Sequence, residues 1–314
     1  MYTGGLPAVY VATVLAALGS ATTALTEGEH QMTMHSRQFE RGVRLIAAIG
    51  TALALAACAN GGTPATGGAT STEASKAGTT FGPSQPLGNG TAKTYVTLDA
   101  AGQPTEVGLR LSATALDNLP QNTGPADATM LPFPDQAAAT PFNHVMLNWN
   151  PQGHDPIELF GKPHFDVHFD MVDMNAMQAV TPDDPQFAGK AEHLPDPKYV
   201  PQDYVLPPGP PVADQAVPGM GVHLLDSTDS TLVPGKYNFQ QIIVEGVWDG
   251  RYTFTEPMIT REWLLTQPTL QGNLKQPQAY QQTADYPTTY SIHVDPQTKD
   301  YVIALAGLTP RQAS

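Results

Sequence analysis

A single cysteine, Cys58, stands among 314 residues, so no internal disulfide can form and no cysteine-built zinc site is available. Basic residues are also scarce: 15 Lys and Arg against 29 Asp and Glu give a net charge of −14. That sign disfavours nucleic acid as a partner, because phosphate binding needs a basic surface. Apolar stretches are short as well, and none makes a comfortable bilayer span, which takes about 20 residues. Nucleophile elbow, P-loop, dinucleotide fingerprint and metalloprotease helix are all missing, which disfavours the familiar hydrolase and nucleotide chemistries. No internal repeat is visible.

What is present begins with an address. Arg37, Arg41 and Arg44 form a basic start, Leu45 to Leu55 an apolar stretch, and Leu55-Ala56-Ala57 precede Cys58. The pattern matches the lipobox of bacterial lipoproteins. Residues 34–57 are therefore expected to be a signal peptide, with lipid on Cys58. Residues 1–33 carry a second apolar run, Leu6 to Leu18, with no basic residue before it. They are expected to be an untranslated or non-native extension, with translation starting at Met32 or Met34. The expected location is the cell envelope, lipid-anchored on a periplasmic or extracellular face, so the membrane itself is the first partner.

After Cys58 the composition through Gly90 is Gly, Thr, Ala, Ser and Pro, with almost no large apolar residue to offset conformational entropy. Residues 58–90 are expected to be the lipidated cysteine and a flexible linker, and 91–314 a single β-rich domain. Thr94 to Leu98 and Glu106 to Leu111 read as a hairpin, and Ser112 as the cap of a short helix ending near Pro120. His144 to Trp149 alternates as a strand should. Residues 181–221, rich in Pro, Asp and Gly, read as a long irregular excursion. Gln241 to Val247 and Tyr252 to Thr255 flank an Asp249-Gly250 turn, Thr260 caps a helix over Arg261 to Leu265, and Thr289 to Val294 pairs with Tyr301 to Leu305. Helical signals are few, so the expected fold is mainly antiparallel β, a sandwich or distorted barrel with small peripheral helices.

The most informative stretch is His164-Phe165-Asp166-Val167-His168-Phe169. On a strand, the two histidines and Asp166 share one face while Phe165, Val167 and Phe169 bury the other. His164 and His168 would lie about 13 Å apart on a straight strand, so the two meet one ion only if the strand curls. Further ligands must come from elsewhere, and His154, His223 and Glu256 sit beside Gly or Pro where a side chain can be aimed. A buried carboxylate such as Glu256 also needs a counter-charge. Imidazole and carboxylate donors suit Zn, Fe or Mn, so a divalent metal is the expected cofactor. His144, His193 and His293 are read as ordinary residues. Trp149, Trp248, Trp263 and the Met171, Met174, Met177 series are read as core.

The hairpin around Ala100 to Gly102, Gly153-His154, the His164 to Phe169 stretch, Met220-Gly221-Val222-His223, Trp248-Asp249-Gly250 and Glu256-Pro257-Met258-Ile259-Thr260 together resemble a family of bacterial exported domains of unknown function. The resemblance covers residues 91 to 310 and implies location and a β-rich fold, with no activity to carry over. Cupins and α-type carbonic anhydrases also set histidines on strands, but both use a His-x-His pair that this chain lacks.

Two functions are expected from different classes. One is a metal-binding exported domain in which His164, His168, His223 and Glu256, supported by Asp166 and His154, point into one shared pocket. The other is a binding or scaffold lipoprotein whose histidines only stiffen the fold. A homo-oligomer is compatible with either, and a small-molecule substrate is not named by these residues.

Overall fold

The computed structural model describes residues 77–124 and 127–314. The expected signal peptide, Cys58 and the linker through residue 76 lie outside the described residues. Within them the chain runs β1 (Gly78–Phe81), β2 (Gln85–Leu87), β3 (Gly90–Leu98), β4 (Pro104–Leu111), β5 (Thr129–Pro132) and β6 (His144–Asn150). It continues through α1 (Ile157–Phe160), β7 (His164–Asp170), α2 (Met174–Gln178), α3 (Phe187–Glu192), β8 (Tyr204–Val205), α4 (Val212–Gln215) and β9 (Val222–Asp226). Then come β10 (Gln241–Trp248), β11 (Arg251–Thr260), α5 (Arg261–Leu264), β12 (Leu270–Asn273), β13 (Ala284–Tyr286), β14 (Thr289–Val294), β15 (Tyr301–Ala306) and β16 (Thr309–Arg311).

One antiparallel sheet has the order β1-β3-β4-β15-β14-β12, with β2 also paired to β3. The second has the order β5-β6-β7-β11-β10-β9-β8. Among the described residues both orders have two free ends, so the fold is an open sandwich rather than a closed barrel. Between the sheets, Val96, Val107 and Leu109 share one buried cluster with Val145, Leu147, Phe165, Val167 and Phe169. Each such side chain, fully buried, contributes roughly 1.5–3 kcal/mol.

The second sheet is covered on its other face too. Leu159 and Phe160 of α1 pack with Ile242, Val244 and Met258, while Met177 of α2 packs with Met146, Met220 and Phe254. Every residue of β7 is therefore buried, polar and apolar alike. This is why the alternating stripe of β7 does not end in solvent.

Local chemistry explains most turns and caps. Asp249 and Gly250 both have positive φ, 45° and 73°, the conformation a two-residue hairpin turn needs between right-twisted strands. The Thr260 side chain accepts from the Trp263 backbone N–H and opens α5. Asp173 does the same for α2 through Ala176.

Three expectations are corrected. Residues 78–87, expected within the linker, carry strands: β1 and β2 fold back along β3, and the Gly82 N–H donates to the Thr94 carbonyl at 3.0 Å. A segment poor in apolar residues is ordered because its backbone finds a free sheet edge. No helix follows Ser112. Its hydroxyl instead accepts the Thr91 N–H at 2.9 Å, and the next residues form turns that sink Ala115 and Leu116 into the core. Residues 181–221 are less irregular than their composition, since α3, β8 and α4 lie there. Ala191, Val200, Leu206, Val212 and Ala213 pack against Val222, Leu224 and Val247 of the second sheet.

Candidate metal centres

The register of β7 with its neighbours builds a buried polar layer. On β6, Asn150 stands opposite His164, Asn148 opposite Asp166, Met146 opposite His168 and His144 opposite Asp170. On β11, Thr260 stands opposite His164, Met258 opposite Asp166 and Phe254 opposite Asp170. The same register carries Glu256 to His168. There Pro257, lacking an N–H, interrupts the ladder. His223 joins from β9, where it pairs with Gly246 of β10.

The six expected ligands do not meet in one pocket. They fall into two groups, His154 with His164 and Asp166, and His168 with His223 and Glu256, each with its ligand atoms within 4.8 Å of one another. The strand stays extended, so His164 and His168 serve different groups.

In the first group, His164 Nδ1 lies 2.6 Å from the Lys162 carbonyl and His154 Nδ1 lies 2.8 Å from the Asp155 carbonyl. A carbonyl can only accept, so both Nδ1 atoms carry the proton. Each Nε2 then turns to Asp166: His164 Nε2 is 3.0 Å from Oδ1 and His154 Nε2 is 3.5 Å from Oδ2. Asn150 Nδ2 donates to Asp166 Oδ2 at 2.7 Å and fixes the carboxylate. Burial alone would raise Asp166, but the neighbouring His154 and His164 rings outweigh that and hold the carboxyl well below the usual range. Burial pulls His154 down, and the Asp166 carboxylate reverses the pull and leaves the imidazole above its ordinary value.

The second group repeats the pattern. His168 Nε2 is 3.4 Å from Glu256 Oε1, and His223 Nε2 is 3.6 Å from Glu256 Oε2. The Met146 carbonyl faces the His168 ring, without the alignment of a full hydrogen bond, and the Gly221 carbonyl faces the His223 ring. Burial pushes His168 down, and burial with the neighbouring His168 pushes His223 down to about 3. Burial, reinforced by the charges of Asp166, Asp170 and Glu245, pushes Glu256 well above the carboxylate range. The shifts favour the uncharged form of all three groups, and each imidazole Nε2 faces Glu256.

Buried polar atoms without hydrogen-bond partners cluster here: His168 Nε2, Glu256 Oε2 and Asp166 Oδ1. Such orphans are costly unless an ion satisfies them. Donor atoms about 2.0–2.2 Å from a tetrahedral ion lie roughly 3.3–3.6 Å from one another. Three of the four separations fit that scale, 3.5 Å in the first group and 3.4 and 3.6 Å in the second, and the fourth, His164 Nε2 to Asp166 Oδ1, is shorter at 3.0 Å. Two imidazoles and a carboxylate are a set that Zn, Fe or Mn accepts. The residues present therefore fit a divalent ion in either group.

Aromatic rings hold the imidazoles in place. The Phe254 ring lies 4.7 Å from the His168 ring and 5.2 Å from the His223 ring, while Phe239 lies 5.0 Å from His164. Gly246 makes room for Phe254, because a Cβ there would stand 2.1 Å from that ring.

Some residues of the layer went unremarked in the sequence. His144, read as ordinary, is wholly buried with its Nε2 3.1 Å from Asp170 Oδ2. Asn150 positions Asp166. The signal was the same period of two, carried from β7 to Asp170 and repeated on β6. By contrast His193 pairs with Asp249 in solvent and His293 lies beside Ser291, away from both groups. Trp149 packs on Phe165 and Trp248 on Phe187, as core residues do.

A family described as TTHB210-like, hypothetical protein TTHB210, matches residues 99–149. The match fits an uncharacterised domain family. It runs from the β3–β4 turn into β6 and ends before the first of the six candidate ligands. The comparisons with curated proteins and with solved structures give no match.

Proposed function

We propose that this chain is a bacterial lipoprotein, anchored through Cys58, whose β-sandwich domain holds a divalent cation on the imidazole and carboxylate groups of its second sheet. The anchor reading is supported by the Leu55-Ala56-Ala57-Cys58 motif and the basic and apolar segments before it. The metal reading is carried by one observation: the ring Nδ1 atoms of His154 and His164 are tied to backbone carbonyls while both Nε2 atoms point at Asp166. Metal-binding histidines are oriented in this way, with the second nitrogen fixed by an outer hydrogen bond. A bound divalent ion would polarise a small substrate or activate water. His154, His164 and Asp166, or His168, His223 and Glu256, would hold it; Asn150 would keep the Asp166 carboxylate in orientation, and Phe254 would keep His168 and His223 close.

Elemental analysis of the full chain, expressed with trace Zn, Fe and Mn, tests the reading. Stoichiometric metal is expected in the wild type, with less in His164→Ala and in His168→Ala. Metal near zero in the wild type removes it. Mass spectrometry of the processed N-terminus tests the anchor, with an acylated Cys58 expected and a free thiol counting against it.

A further inference from the structure

Resting on the metal-binding reading, we infer that the layer holds two separate divalent ions, and that the ion on His154, His164 and Asp166 is the one that exchanges its remaining ligand with solvent.

Two ions follow from how the carboxylates are shared. Asp166 offers Oδ1 to His164 and Oδ2 to His154, while Glu256 offers Oε1 to His168 and Oε2 to His223. Each carboxylate thus faces only its own pair of imidazoles, and no residue belongs to both groups. Asp166 and His168 are alternate residues on one extended strand, a step of about 6.6 Å. Two metals that share a bridging oxygen stand about 3.5–4 Å apart. The arrangement is therefore two mononuclear centres side by side.

The centres differ in access. Side-chain exposure is 39% for His154 and 24% for His223, while the other four ligands are at 7% or less. Aromatic rings flank both groups, Phe254 beside His168 and His223, Phe160 and Phe239 beside His154 and His164, so the difference in access lies in the exposure of His154. His154 sits in the connection between β6 and α1. Gly153 takes φ +69° there, and a Cβ would strike the Phe160 carbonyl at 2.3 Å. Three protein ligands leave a tetrahedral ion one further position. At the first group the exposed His154 side chain gives that position a route to solvent, by which water or a small monodentate anion would enter.

Cobalt provides the test, since its visible spectrum reports its ligands. The full chain is stripped with chelator, reloaded with Co(II), assayed for stoichiometry and titrated with azide. The wild type is expected to take two ions per chain, and His154→Ala and His223→Ala one each. Both variants change the more exposed member of their group, and circular dichroism establishes that they fold. Azide is expected to shift the spectrum of wild type and His223→Ala and to leave His154→Ala unchanged. One ion per chain, lost in either variant alone, overturns the two-centre inference while sparing the metal reading; no cobalt at all in the wild type overturns both. An azide response retained in His154→Ala overturns the assignment of the open centre.

Discussion

Gly246 shows how little space separates packing from chemistry at the level of single residues. The Phe254 ring occupies the place a Cβ would take, and the same ring braces His168 and His223. Gly246→Ala should therefore cost on the order of 1–3 kcal/mol through overpacking. It should also lower metal bound by His168, His223 and Glu256 while leaving that on His154, His164 and Asp166; a chemical melt and metal analysis of the variant read both effects. Glu245 carries a different prediction. Burial pushes its carboxyl up to about 8, although Tyr252 donates to it at 2.6 Å. The folded state thus holds a proton that the unfolded chain releases near the ordinary carboxylate value. Stability from this group is complete below about 4.5, declines as pH rises, and is gone above about 8. Glu245→Gln keeps the shape without the ionisation, so its melting temperature should gain on the wild type between pH 5 and pH 9; parallel curves would show that Glu245 does not titrate in this window. Residue by residue, the His164 to Phe169 alternation declared its two faces in the sequence. The partition of its histidines did not, because it depends on which carboxylate stands across the sheet.

Strands and hairpins were largely legible, since period-two alternation and an Asp-Gly turn are local signals. Failures came where a tertiary partner decided the outcome. Ser112 looks like a helix cap, yet the Thr91 N–H on the neighbouring strand claims its hydroxyl. The stretch before Gly90 looks too polar to fold, yet Phe81 rests 6.2 Å from the Tyr95 ring with the Lys93 ammonium 4.1 Å above it. A chain beginning at residue 91 should consequently melt at lower temperature than one beginning at residue 77, as both β1 and β2 are lost from the sheet; equal melting temperatures would mean these strands add nothing. At the other end of the molecule's second sheet, Thr260→Ala removes the cap of α5 and should cost about 1 kcal/mol in a denaturant titration.

For the molecule as a whole, the sandwich class followed from few helical signals and many short alternating runs, whereas of the cover over the second sheet only the spacing of Met171, Met174 and Met177 could be read. If ions bind the folded state alone, removing them with chelator should lower the melting temperature, by about 2.7 kcal/mol of stability per site for metal at 100 times its dissociation constant. An unchanged melt would favour the alternative in which the imidazoles merely stiffen the fold. The threading of β7 between β6 and β11 has one more consequence. Shifting it by a single residue would drive His164, Asp166, His168 and Asp170 into the oily interior between the sheets and hang Phe165 and Phe169 among amides. Misalignment is thus penalised twice over, and the strand proofreads its own pairing with the very groups it presents for chemistry.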